Sequence, residues 1–220
     1  SRFLLGCQGM RRTHGASVRA VFEQVFRAYG MPEAMRTDNG PPFASVGLGG
    51  LTPLAVWWIR LGIEPQRILP GRPDQNGRHE RMHRTLKDWL QHYPAKDYGQ
   101  QLKILDRFVE EYNWERPHAA LGQTVPANSY HQSAREYPGR LPEMDYEISF
   151  QVRRVKRTGE ISWKSRHWYL SEALAGERVG LLERDDRYRE IYFGAYRLGW
   201  LDGKQNQVVR AKRLEKKETE

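Results

Sequence analysis

The periodicity of apolar residues changes partway along the chain, and this change limits the architecture more than any other feature. As far as about residue 132, apolar residues recur at helical spacing, with short apolar runs between the helices. Val18, Val21, Phe22, Val25 and Phe26 predict a helix over 15–29, stopped by Gly30 and Pro32. Thr52 and Pro53 open a second helix over 51–61. Met82, Leu86, Trp89 and Leu90 define a third over 77–93, and Leu102, Leu105, Phe108, Val109 and Tyr112 a fourth over 97–112. Short strands are expected at 3–8, 34–37 and 63–69, which makes this part α/β. Residues 40–50 and 70–76 read as loops, the latter either a flap over a site or an ordinary connection.

Beyond about residue 145 the texture differs. Runs at 148–155, 160–163, 166–170, 178–183, 189–193 and 196–201 have alternating or aromatic character, with Gly159, Gly176, Asp185-Asp186 and Gly194 between them. Turn signals at such intervals predict a small all-β, barrel-like domain over 145–211. Residues 133–144 are rich in Ser, Pro, Gly and charge and read as a linker, and 212–220 reads as a charged disordered tail.

The net charge of +9 favours a polyanionic partner over an acidic protein, though only modestly. No apolar run reaches the roughly 20 residues of a membrane span, so no membrane partner is expected. The single cysteine, Cys7, rules out an internal disulfide and reads as a small buried hydrophobe. Trp57, Trp58, Trp89 and Trp114 lie on or beside apolar helical faces and are expected in the core rather than as base-stacking platforms.

Two carboxylates stand out by position. Asp38 follows a short strand and opens the turn Asp38-Asn39-Gly40; strand ends are where open α/β sheets place ligand-binding residues. Glu80 lies in the first turn of the third helix, whose positive end favours an ionised carboxylate. Each also has a purely structural reading: Asp38 as an Asx-turn residue, Glu80 as a helix-dipole partner. His83, Arg84 and Lys87 follow Glu80 on one helical face, where they would either meet phosphates or form a solvated basic face. His79 and His83 stand four apart, a spacing that also permits a transition-metal site, but no third nitrogen ligand is evident.

Three ordered motifs resolve these alternatives. Arg36-Thr37-Asp38-Asn39-Gly40, then Gln75-Asn76-Gly77 leading through Glu80 to His83-Arg84-Thr85-Leu86-Lys87, then Tyr112-Asn113 with Arg116-Pro117-His118 and Leu121, together resemble the integrase core shared by retroviral integrases and bacterial insertion-sequence transposases. The resemblance covers about residues 1–130. It implies an RNase H-like fold, a DDE catalytic triad of acidic residues and two Mg²⁺ or Mn²⁺ ions in the complete site. Asp38 and Glu80 then correspond to the second and third acids, both catalytic and metal-binding. It implies cleavage of DNA ends and their transfer into target DNA, and a homo-oligomer assembled on DNA in the bacterial cytoplasm, associated with the nucleoid. The chain begins at Ser1 with a strand-like run, and Glu23 and Glu33 are the only acids before Asp38. The expectation is therefore a core lacking its first strands and first catalytic aspartate, inactive alone. A related metal-dependent nuclease and a non-catalytic DNA-binding or regulatory remnant are the alternatives.

The later domain is similar in position and texture to the small β-barrel DNA-binding domain of integrases. Its cations, Arg153, Arg154, Lys156, Arg157, Lys164 and Arg166, are interleaved with aromatics and are expected to bind DNA. The competing reading leaves them solvated around an aromatic core.

Overall fold

The computed structural model describes residues 1–11, 14–68 and 77–216. In chain order the helices and strands are α1 (Gly15–Tyr29), β1 (Ala34–Thr37), α2 (Pro53–Arg60), β2 (Glu64–Arg67), α3 (Gly77–His92), α4 (Tyr98–Glu110), β3 (Phe150–Arg154), β4 (Glu160–Trp163), β5 (Arg166–Tyr169), β6 (Arg178–Glu183), β7 (Tyr188–Phe193), β8 (Tyr196–Asp202) and β9 (Gln207–Lys216). They form two compact units, each built from two stretches: Ser1–Pro32 with Arg67–Tyr137, and Glu33–Gln66 with the chain from Pro138 onward. The expected loop at 70–76 lies outside the described residues, as does the end of the expected tail beyond Lys216. No helix among the described residues is long and apolar enough to cross a membrane.

The first unit is helical. α1 buries Val18 and Phe26 and stops at Gly30, whose φ of 75° favours glycine. A side chain at Gly30 would also strike the backbone carbonyl of Ser133. Residues 133–135, expected within a linker, are bonded back to this helix end: Ser133 N donates to the Tyr29 carbonyl and Met31 N to that of Arg135. α4 starts at Asp97, whose carboxylate accepts from the Gln100 amide at 2.8 Å. It buries Leu105 and Phe108 and runs into a π-helical turn, Glu111–Glu115. α3 buries no residue fully; Met82, Leu86, Trp89 and Leu90 are half-buried, and Trp89 lies 6.0 Å from the Phe108 ring.

The strand expected at 3–8 does not form. Its composition suits a strand, but a strand needs a neighbour to accept its ladder. Here a side chain takes that place. Asn113, 1% exposed, accepts from Leu4 N at 2.8 Å and donates to Leu4 O at 2.9 Å. Cys7 is half-buried, and burial, with Asp106 second, pushes its thiol pKa up. The upward shift favours the neutral thiol, although Cys7 is less buried than the sequence reading expected.

In the second unit β1 pairs with β2, while β3-β6-β7-β8-β9 form an antiparallel sheet and β4-β5 a separate hairpin. The sheet is open rather than a closed barrel: among the described residues β3 pairs only with β6 and β9 only with β8. Sequence alternation fixes which side chains face inward, but closure depends on whether the outer strands meet, which composition does not encode. Val179, Leu181, Ile191, Phe193, Leu198 and Leu201 form the inner face. They pack with Ile161 and Leu174 and with Leu48, Leu51, Ala55, Val56 and Ile59 from the stretch around α2. α2 is buried on every side over Leu54–Ile59, so it acts as a core helix. β9 continues to Lys216, past residue 212 where the tail was expected, because β8 offers it backbone partners as far as Tyr196.

Candidate active site and nucleic-acid interface

Asp38 follows the last residue of β1 and is exposed. Its Oδ1 accepts the Gly40 amide at 3.0 Å, so the Asx turn is real. The turn uses one carboxylate oxygen; among the described residues the other accepts no hydrogen bond. The structural and ligand roles are therefore compatible.

Glu80 is the fourth residue of α3 and is exposed at the positive end of that helix. Arg84 and Lys87 follow at helical spacing, exposed like Glu80. Among the described residues none of the three has a side-chain partner, so Arg84 is not spent on neutralising Glu80. His83 Nε2 lies 2.6 Å from His79 Nε2, close enough for the rings to share one proton. No set of three or more His, Cys, Asp or Glu side chains that could hold a metal forms among the described residues. Asp38 lies in the second unit, whereas Glu80, His83, Arg84 and Lys87 share α3 of the first.

The third motif has a structural logic. Tyr112 and His118 pack edge-to-face, ring centroids 4.6 Å apart, and Asn113 clamps Leu4. Burial lowers the His118 pKa, and nearby Arg116 and Arg2 lower it further against a backbone hydrogen bond, which favours the neutral imidazole. Burial raises the Tyr112 pKa although Arg2 and Arg116 act the other way. The Asn113 clamp was not recognised from the sequence. Its only signal was an Asn inside an otherwise apolar helix face, and its partner is 109 positions away. Trp57 and Trp58 are buried and Trp89 is half-buried, as expected. Trp114 is not core: it is 65% exposed, because the π-helical turn shifts it off the apolar face of α4.

The second unit holds two populations of cations. Arg184 and Arg197 both bind Glu190, at 2.7 and 2.8 Å. Arg187 grips Asp202 at 2.5 Å, and Arg189 pairs with Glu183. Burial acts to raise the Glu190 pKa, but hydrogen bonds from Arg197, Arg184 and Tyr192 outweigh it and the net shift is downward. These arginines are consumed by the fold.

By contrast, Arg153, Arg154, Lys156, Arg157, Lys164 and Arg166 have no carboxylate partner among the described residues. All but half-buried Arg153 are exposed. Lys156 approaches His167 Nδ1 at 3.1 Å, Arg166 donates to the Asn206 side chain and Lys164 lies 4.8 Å from the Trp163 ring centroid. Trp163 and Trp168 are buried, so these aromatics serve the core while the cations face outward. Lys164 and Ser165 both have positive φ, forming the two-residue turn that carries Lys164 to the hairpin tip.

Residues 61–126, which include Glu80 and the Tyr112–Leu121 motif, match the family model described as integrase core domain. Residues 150–209, which include the six outward cations, match the model described as IS481 family transposase, C-terminal domain. The chain is 32% identical over 114 residues to a 39.2 kDa protein of insertion element IS476 from Xanthomonas euvesicatoria, covering 51% of this chain and 31% of the relative. It is 27% identical over 137 residues to a 31.7 kDa protein of insertion element IS407 from Burkholderia multivorans, covering 60% of this chain and 47% of the relative. It is 36% identical over 72 residues to the Pol polyprotein of Radiation murine leukemia virus, covering 33% of this chain and 11% of that protein. The first match makes the stretch around Glu80 similar to an integrase core domain. The second makes the later sheet similar to the C-terminal domain of an insertion-sequence transposase family. The chain spans less than half the length of the relatives it matches.

Proposed function

We propose that the chain forms part of a DDE-type DNA transposase that cuts element ends and joins them to target DNA in a metal-dependent reaction. The observation that carries the reading is Glu80: exposed and unpartnered among the described residues, at a helix N-terminus, inside the integrase-core match. Asp38 is the second ligand, with one oxygen held by its turn and one open. Both supply hard oxygen donors, which fit Mg²⁺ or Mn²⁺ rather than a thiolate-seeking ion. Bound divalent ions would lower the pKa of a nucleophilic oxygen and stabilise the leaving one. The first acid of the family pattern is not assigned to any residue of this chain.

The side chains contribute in defined ways. Asp38 and Glu80 supply negative charge at fixed positions. Arg84 and Lys87, left unneutralised one and two turns further along α3, hold phosphates near Glu80, and His83 borders the same face. Arg153, Arg154, Lys156, Arg157, Lys164 and Arg166 supply sequence-independent backbone contacts to DNA ends and target. A homo-oligomer on paired DNA ends is part of the proposal.

Glu80→Gln in the complete protein should reduce cleavage and strand transfer by at least a hundredfold while DNA binding stays within about twofold, on the scale of losing one charge-stabilising group. Gel-based cleavage and joining assays with a labelled element end check this. Retained joining in the variant would defeat the assignment. Cleavage without any joined product from the unmodified protein would favour a nuclease, and DNA binding with neither activity would favour a regulatory role.

A further inference from the structure

The first unit contains a cleft that the proposed chemistry does not use. Its volume is about 500 Å³, within the roughly 300–1,000 Å³ of small-molecule sites. Phe3, Met82, Tyr112 and Leu121 give it apolar and aromatic walls, and Arg2 and Arg78 bring positive charge. No carboxylate lines it among the described residues. Arg116 adds a third cation near the Tyr112 hydroxyl, close enough to affect its ionisation. Beside the cleft, Trp114 stands 65% exposed with its ring centroid 6.4 Å from that of Phe3, which itself stacks on Tyr130 at 4.1 Å. Arg78, His79 and Met82 line the cleft from α3, the helix that also carries Glu80.

These features select a ligand chemistry. The apolar walls and exposed indole call for a flat, weakly polar group, whereas the arginines call for an anion attached to it. A paired duplex presents only the anion, because its bases stay stacked inside. An unpaired nucleotide presents both together. We propose that the cleft binds an unpaired nucleotide of the DNA substrate, its base against Phe3, Met82 and Tyr112 and its phosphate toward Arg2 and Arg78, with Trp114 stacking a neighbouring base. The π-helical turn makes this possible, since it turns Tyr112 inward to 8% exposure and leaves Trp114 outside within three residues. The inference rests on the reading of the chain as a DNA-acting protein.

Fluorescence anisotropy of the 220-residue chain with two labelled DNAs tests it: a blunt duplex, and the same duplex with a short single-stranded extension. The extension should tighten binding about tenfold, as expected for one stacked base. In Trp114→Ala and Met82→Glu the ratio of the two affinities should fall to near one, with circular dichroism confirming that each variant is folded. A 2-aminopurine in the extension should be quenched by the unmodified chain and not by the variants. Equal affinity for both DNAs, or an unchanged ratio and quenching in both variants, would overturn the inference while leaving duplex binding intact. Failure to bind either DNA would overturn the DNA-acting reading and the inference with it.

Discussion

Asp202 shows how much of the charge in this chain is structural. The carboxylate is 2% exposed and accepts from Arg187 and from the amides of Lys204 and Gln205. The Arg187 hydrogen bond, opposed by desolvation and aided by those amides, holds its pKa far below the usual carboxylate range. A depressed folded pKa means that its contribution is complete above the unfolded value, about 3.9, and is lost as pH falls through the folded one. Asp202→Asn should therefore lower the Tm at pH 7, and its deficit against the unmodified chain should narrow progressively below pH 4. Thermal melts across pH 2–7 check this, and a constant deficit would contradict it. At this scale the sequence reading was uneven. Asp38 and Glu80 could be singled out because a turn and a helix start are written in adjacent residues. The partners of Asn113, Asp202 and Glu190 could not, because each depends on which distant residues the fold brings alongside.

Among the elements, β8 carries the constraint easiest to test. Its pairing with β9 shifts register between Arg197 and Gly199, and Gly199 has a φ of 153°. A Cβ there would collide with the Val209 carbonyl of the neighbouring strand. Gly199→Ala should cost about 2 kcal/mol or more, read as a lower midpoint of denaturant unfolding; an unchanged midpoint would show that the strands can separate without loss. Helices were read well from sequence because 3.6-residue spacing and caps such as Thr52 and Asp97 are local. The run at 3–8 misled because a strand is defined by its neighbour, and here an Asn side chain replaces one. The barrel expectation failed for the same reason, since nothing in an alternating strand says whether the outer edges will meet.

Across the whole molecule, the +9 charge is partitioned rather than spread. In the second unit buried Glu190 holds Arg184 and Arg197, buried Asp202 holds Arg187 and exposed Glu183 pairs with buried Arg189, whereas the cations of 153–166 and Arg84 and Lys87 of α3 have no carboxylate partner among the described residues. Counting charges in the sequence could not separate these groups; the motif order singled out the cations of α3, and only position and texture those of 153–166. The proposed function rests centrally on Asp38 and Glu80, open carboxylates distant in sequence, each acting as a ligand of a divalent cation. Titration of Mn²⁺ followed by electron paramagnetic resonance tests it most directly. The account predicts saturable binding that weakens at least tenfold in Asp38→Asn and equally in Glu80→Gln. Binding that is undiminished in both variants would contradict it.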